Sequence, residues 1–320
     1  MTLLSRTAEN LYWLGRHLER IEWSARSVRE HTHLLVDLPI HVESDWSALL
    51  ALSGFEAEPE GSEPGESDVI HTVMASLDNP GSIIRSIAAA RENLRVTRSV
   101  APWSAWEALN TLHIAVSSRA NACGSRSQRL DLCDAIIEWC QLIAGILVTT
   151  MSRDHAFALY DLGRHIERAD MAARVLDVRA GSLLIGSGDA EHPADRSPFE
   201  DVRWLGVLRT TGGMQMYHRR KSSSVEAETV LDFLLYDVAF PRSIAYCILE
   251  MGIALEALPR RADAADACDA LARLLAARPA TMSSMTLHER VGRIMEGLDR
   301  LHDAVATSYF VARTPAAVAV

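Results

Sequence analysis

Lysine is almost missing from this chain: Lys221 is the one lysine among its 32 basic residues. Positive charge is therefore carried by guanidinium, which stays protonated at any physiological pH. Chemistry that needs a lysine amine has a single residue to use. Cysteine is sparse and odd in number (Cys123, Cys133, Cys140, Cys247, Cys268), with no Cys-x-x-Cys pair. That excludes a disulfide framework and a thiolate zinc site. With 17 glycines and 11 prolines in 320 residues, a fold built from many tight turns is disfavoured. The longest apolar run, Leu142 to Val148, is far too short to span a bilayer. The chain opens on polar residues rather than a signal peptide, so a cytoplasmic location is expected. Basic excess is lacking too. With 42 acidic against 32 basic residues, the net charge of −10 argues against nucleic acid or an anionic membrane as the main partner.

Several motifs are also absent. There is no P-loop, no Rossmann glycine pattern, no Gly-x-Ser-x-Gly elbow and no His-Glu-x-x-His. A dimetal helical bundle wants two Glu-x-x-His motifs. Glu30-x-x-His33 stands alone, and Asp68/His71 and Asp299/His302 merely share its spacing. No metal, and no cofactor of its own, is expected on this chain.

What is present is helical. Ala, Leu, Arg and Glu dominate, and no segment alternates with period two, so the expectation is an all-α bundle of about ten helices. Ser82 is a good N-cap for a helix to Arg98, Ser104 for one to Ala122, and Ser152 for one to Ala180. Further helices are expected over 127–150, 199–220, 224–238, 241–258, 262–278 and 287–312. Two stretches break the pattern: the Glu-rich 54–68, read as an acidic loop, and 186–198. Two halves, 1–150 and 151–320, then make one helical unit.

The halves share one conspicuous segment. Residues 11–30 (LYWLGRHLERIEWSARSVRE) and 159–178 (LYDLGRHIERADMAARVLDV) are identical at ten of twenty positions, at a constant offset of 148. On a helix, Leu11, Leu14, Leu18, Ile21, Ala25 and Val28 make an apolar stripe, matched by Leu159, Leu162, Ile166, Ala169, Ala173 and Leu176. Gly15 and Gly163 sit at the stripe's edge. Glycine inside a helix costs roughly 1 kcal/mol against alanine, so keeping it twice points to close approach of a backbone or a ligand. A second face carries Tyr12, Arg16, Glu19, Trp23 and Arg26, matched by Tyr160, Arg164, Glu167, Met171 and Arg174; Glu22 and Asp170 lie between the two faces. This face reads either as an ion network between helices or as the wall of a pocket. His17 and His165 lie elsewhere and read as packing or surface residues.

Three other clusters stand out: Arg91-Glu92-Asn93 with Trp103, Trp106, Glu107 and Asn110; the basic run Met214 to Lys221; and Phe233 to Ile244, where Asp237 to Ser243 makes a helix–turn–helix junction with Pro241 in the first turn and Arg242 free to reach a carboxylate.

The opening LSRTAENLYWLGR with Glu19-Arg20, then Ala90-Arg91-Glu92-Asn93, Trp106-Glu107-Ala108-Leu109-Asn110, LGRHIERAD at 162–170, and FLLYD at 233–237 with PRSI at 241–244, together resemble the alpha-E domain family. Phe157 stands where the first copy has Glu9, so the two copies are not equivalent. The resemblance implies an all-helical partner of a circularly permuted ATP-grasp ligase, with ATP and Mg²⁺ held by that ligase and an amino acid or peptide as substrate. On that reading, Arg16, Arg164 and Arg242 clamp carboxylates. Glu19 or Glu167 holds or deprotonates the attacking amine. Tyr12, Glu22, Arg26, Tyr160, Asp170 and Arg174 complete the substrate side. The alternative is a non-catalytic scaffold for the ligase, with the acidic loop and the tryptophans as docking surfaces.

Overall fold

The computed structural model describes residues 4–37, 46–55, 65–119, 124–180, 200–220, 225–279 and 283–310. Among them are thirteen α-helices and no strand: α1 (Ser5–Asp37), α2 (Ser47–Ser53), α3 (Glu66–Met74), α4 (Ile83–Val96), α5 (Trp103–Arg119), α6 (Arg126–Thr150), α7 (His155–Val175, continued by a π-helical turn Leu176–Ala180), α8 (Glu200–Thr210), α9 (Met214–Arg220), α10 (Ala227–Tyr236), α11 (Ile244–Glu256), α12 (Ala262–Ala276) and α13 (Ser284–Tyr309). The all-α expectation holds. The count exceeds ten partly because the stretch 199–220 is two helices, parted at Gly212, whose φ of 65° ends a right-handed helix.

Local chemistry sets the boundaries. Ser82, Ser125, Ser243 and Ser283 each accept a backbone N–H of the following first turn. Two expected caps move. The cap of α7 is Asp154, whose Oδ1 accepts the amides of Ala156 (2.9 Å) and Phe157 (3.3 Å), in place of Ser152. Helix α5 begins at Trp103, which puts Ser104 inside its first turn. Glu66 to Asp68, read as the end of the acidic loop, form the first turn of α3, where negative charge suits the helix N-terminus. The remainder of that loop (56–64), the loop 186–198, Cys123 and Lys221 lie outside the described residues.

Helices α1 and α7 form the centre. Helix α1 packs along α7, α4, α6 and α8; α7 also packs on α11 and α13, and α12 lies between α11 and α13. Every residue of the two apolar stripes is buried. By length and composition, α6 is apolar enough to cross a membrane. Its buried face, which includes Arg129, is spent on α1 and α5.

The glycines explain the intimacy of the central pair. A Cβ on Gly15 would run into the Tyr160 carbonyl oxygen and lie 2.7 Å from the Arg164 amide nitrogen; a Cβ on Gly163 would run into the Tyr12 carbonyl oxygen. Each repeat's glycine thus faces the other's tyrosine carbonyl, backbone against backbone. Gly15→Ala or Gly163→Ala is expected to lower stability by about 1–3 kcal/mol, because overpacking outweighs the gain in helix propensity. Gly292→Ala, in α13 with open space around it, is expected to raise stability by up to about 1 kcal/mol. Chemical denaturation of the three variants checks the opposite signs.

Candidate functional site

Four residues beyond each glycine stands a glutamate, followed by an arginine, and across the α1–α7 crossing these are exchanged. Glu19 accepts from Arg168 through Nε (3.1 Å) and Nη2. Glu167 accepts from Arg20 Nε (2.5 Å) and from Arg16 Nε (2.6 Å). Contacting residue numbers rise together on the two helices, from 12–15 with 160–163 to 16–20 with 167–168, so the helices run side by side in the same sense here. The exchange is not fully symmetrical. Arg164, the counterpart of Arg16, turns to Asp161 of its own helix, with Nη2 3.0 Å from Oδ1.

The network reaches three further elements. Glu22 accepts from Arg26 (2.8 and 2.9 Å), from Arg242 (2.5 Å) and from Gln141 of α6 (3.5 Å). Arg168 donates to the Pro241 carbonyl (3.2 Å). Arg242 and Pro241 lie in the turn before α11. That turn is shaped by Asp237, whose Oδ1 accepts the amides of Ala239 (2.8 Å) and Phe240 (3.1 Å), and by Ser243, which donates to the Asp237 carbonyl. Asp170 pairs with Arg174 at 2.9 Å, and the Tyr12 hydroxyl meets His302 Nδ1 of α13 at 2.8 Å.

Burial and pairing fix the charges. Burial alone would raise the Glu167 carboxyl, but Arg20 and Arg16 draw it down to about 2. Glu19 follows the same logic: burial raises it, and Arg168 with Arg242 brings it below its ordinary value. Asp170 goes the other way, raised by burial against partial compensation from Arg174. Burial pushes both tyrosines, Tyr12 and Tyr160, up to about 12. A carboxylate at about 2 between two guanidiniums is a poor base at neutral pH and a firm electrostatic anchor.

All eleven residues singled out from the sequence gather around this crossing. Most of them do so by pairing with one another, while Tyr12 meets His302 and Arg164 meets Asp161. Arg16 and Arg242, read as clamps for a substrate carboxylate, hold the chain's own Glu167 and Glu22. Pro241 stands in the turn ahead of α11 rather than in its first turn. Two cavities of about 380 Å³ each lie elsewhere: one between α12 and α13, the other among α10, α11 and α12. Sequence reasoning passed over Arg20 and Arg168, although both belong to the repeated segment. At 100° per residue Arg20 sits about 40° beyond Arg16, yet a guanidinium stem spans that offset. His302, Gln141 and the Pro241 carbonyl come from distant segments and carry no local signal.

Three of the singled-out residues keep a buried polar atom without a hydrogen-bond partner: Tyr160 Oη, Arg164 Nε and Arg242 Nη1. Their first-copy counterparts, Tyr12 Oη and Arg16 Nε, are engaged.

Removing one carboxylate here strands two guanidiniums. Glu167→Gln is expected to cost about 3–5 kcal/mol, measured by urea unfolding at pH 7. The folded carboxyl titrates at about 2, below its ordinary 4.5. Its stabilisation is therefore complete above about pH 5 and lost as pH falls toward 2. The gap between the native protein and Glu167→Gln should close over that window.

Comparison with known proteins bears on the same residues. An uncharacterized protein of Mycobacterium bovis and one of Mycobacterium tuberculosis (strain CDC 1551) are each 24% identical to this chain over 278 residues, 79% of its length; one of strain H37Rv is 23% identical over the same span. The chain spans only 30% of those relatives. No solved structure gives a significant match. Residues 3–310 match the model of the Alpha-E family, described as a predicted alpha-helical domain with a conserved ER motif. That match covers nearly the whole chain, which carries Glu-Arg pairs at 19–20, 167–168 and 289–290, and the chain belongs to the Alpha-E family.

Proposed function

We propose that this chain is the helical partner subunit of an ATP-grasp-type amide ligase of circularly permuted kind, acting in the cytoplasm on an amino-acid or peptide substrate. The ligase holds ATP and Mg²⁺ and forms the acyl phosphate. This chain gives it a rigid helical body and helps to hold the substrate for acyl transfer. The observation that carries the non-catalytic form of this reading is the saturation of the glutamates. Each of Glu19, Glu22 and Glu167 is engaged by at least two guanidiniums within 4.0 Å, and a general base needs a pKa near the working pH. The relatives favour a partnership as well, since in them the matching stretch is part of a chain more than three times as long as the stretch itself.

A second reading, in which the network binds a substrate carboxylate for acyl transfer at Glu19 or Glu167, is favoured by Tyr160 Oη and Arg164 Nε, both buried with no hydrogen-bond partner. Outside the network, Trp103 is 58% exposed and stacks on Trp106 at 4.9 Å, near Arg91, which donates to Asn110 at 2.8 Å between α4 and α5. Exposed tryptophan on a fixed aromatic base is a strong docking element.

The test mixes the purified chain, the ATP-grasp protein, ATP and amino acids, with products read by mass spectrometry. Trp103→Ala is expected to weaken the complex at least tenfold while leaving the melting temperature unchanged. Folded Glu19→Gln and Glu167→Gln should leave product formation intact; its loss would favour the second reading. Absence of any complex with the ligase would overturn both.

A further inference from the structure

On the face of α7 turned toward α11 lies a second cluster, which meets the ion network only where Arg164 contacts Asp161. Asp161 and His165 are one helical turn apart, and Glu250 projects from α11. An imidazole nitrogen and one carboxylate oxygen from each acid lie within 4.8 Å of one another. His165 is 1% exposed and Asp161 9%. The imidazole Nδ1 lies 3.0 Å from the Asp161 main-chain carbonyl oxygen, while Nε2 is buried with no partner. With Nδ1–H donating to that carbonyl, Nε2 carries the lone pair, which is the tautomer of a metal-ligating histidine.

We infer that Asp161, His165 and Glu250 form a binding site for a divalent transition-metal ion such as Zn²⁺, tying α7 to α11.

The donor set selects the class of ion. One imidazole and two carboxylates suit Zn²⁺ or Mn²⁺, while an imidazole in so small a set disfavours Ca²⁺ and Mg²⁺. Three protein ligands leave a coordination position open. The charge balance also fits. The Asp161 and Glu250 carboxylates face one another across the cluster, and a cation between them relieves that like-charge contact. Arg164 contacts Asp161 Oδ1, while Oδ2 lies on the side of the His165 ring, 3.6 Å from Nδ1, so the guanidinium does not occupy both oxygens. Arg168 is neutralised by Glu19. Tyr246, one turn before Glu250 on the same helix, stands with its ring 6.2 Å from the His165 ring and closes that side of the cluster. Glu250 is only half-buried, which gives an ion a way in.

The inference is independent of the ligase partnership. The full chain is stripped with chelator and titrated with Zn²⁺ by calorimetry, and with Mn²⁺ by electron paramagnetic resonance. One ion per chain is expected, with affinity reduced at least tenfold in Glu250→Gln and in Asp161→Asn. Saturating Zn²⁺ should raise the melting temperature of the native chain and leave that of Glu250→Gln unmoved. X-ray absorption of the Zn²⁺-loaded native chain, which needs no variant, should show nitrogen and oxygen ligands including imidazole. No saturable binding up to millimolar Zn²⁺, undiminished affinity in a folded Glu250→Gln, or sulfur at the zinc would each overturn it.

Discussion

Two backbones touching at Gly15 and Gly163 set the terms for everything around them. With the helices this close, side chains one turn further on must span a short gap, and the exchange of Glu19 with Arg168 and of Glu167 with Arg20 fills it. The apolar stripes do not fix the register by themselves, because leucine, isoleucine and alanine at three-four spacing pack nearly as well after a slip of a few residues. The charges do fix it. A slip of one turn in either direction would leave Glu167 with only one of its two guanidiniums, and in one direction would set Glu19 against Ala172. Here a buried ion network, a weak source of net stability, is a strong source of alignment.

The same chemistry then recruits the periphery. Glu22 brings in the turn before α11 through Arg242, and Arg168 holds that turn from the other side through the Pro241 carbonyl. Arg129, 1% exposed, ties α6 to Glu66 of α3 at 2.9 Å. Arg290 of α13 donates to the carbonyls of Leu274, Leu275 and Ala277 at the end of α12, where unsatisfied acceptors and the helix dipole both favour a cation. Each of these tasks asks for several directed donors on one charged group. Guanidinium supplies them and ammonium does not in that geometry. A chain nearly without lysine is thus well matched to this way of building.

What was legible in the sequence was local. The stripes, the polar face and the two glycines follow from period 3.6 and from the segment's repetition; the structure buries the stripes and the glycines, while Arg16, Arg164 and Arg174 of the polar face stay partly exposed. The choice between a pocket wall and an interhelical network was not legible, because it turns on what lies opposite. The repeat announces that two helices share a surface pattern; it does not announce that they face one another. Arg20 and Arg168 stand at the face's edge and enter only once a partner glutamate is within reach. Glu250 lies 85 residues beyond His165 and joins it only through the packing of α11 on α7. The caps that moved were nearly balanced choices: Asp154 stands two residues from Ser152, and an aspartate oxygen accepting two amides beats a hydroxyl accepting one.

A functional argument follows from the charge of the network rather than from its shape. An acid or base that works near neutral pH must sit in an environment that leaves its two protonation states close in energy. The crossing does the reverse to Glu19 and Glu167: each added guanidinium favours the carboxylate form, and each favours it in a place closed to water. The residues most conspicuous in the sequence are in this way the ones least able to exchange protons, and their conspicuousness has its cause in alignment. On the proposed reading, chemistry on a substrate comes from outside this crossing, from a second protein carrying its own activated phosphate. Surfaces such as the Trp103–Trp106 stack, rigid because the helices beneath them are held in one register, are what such a protein would read.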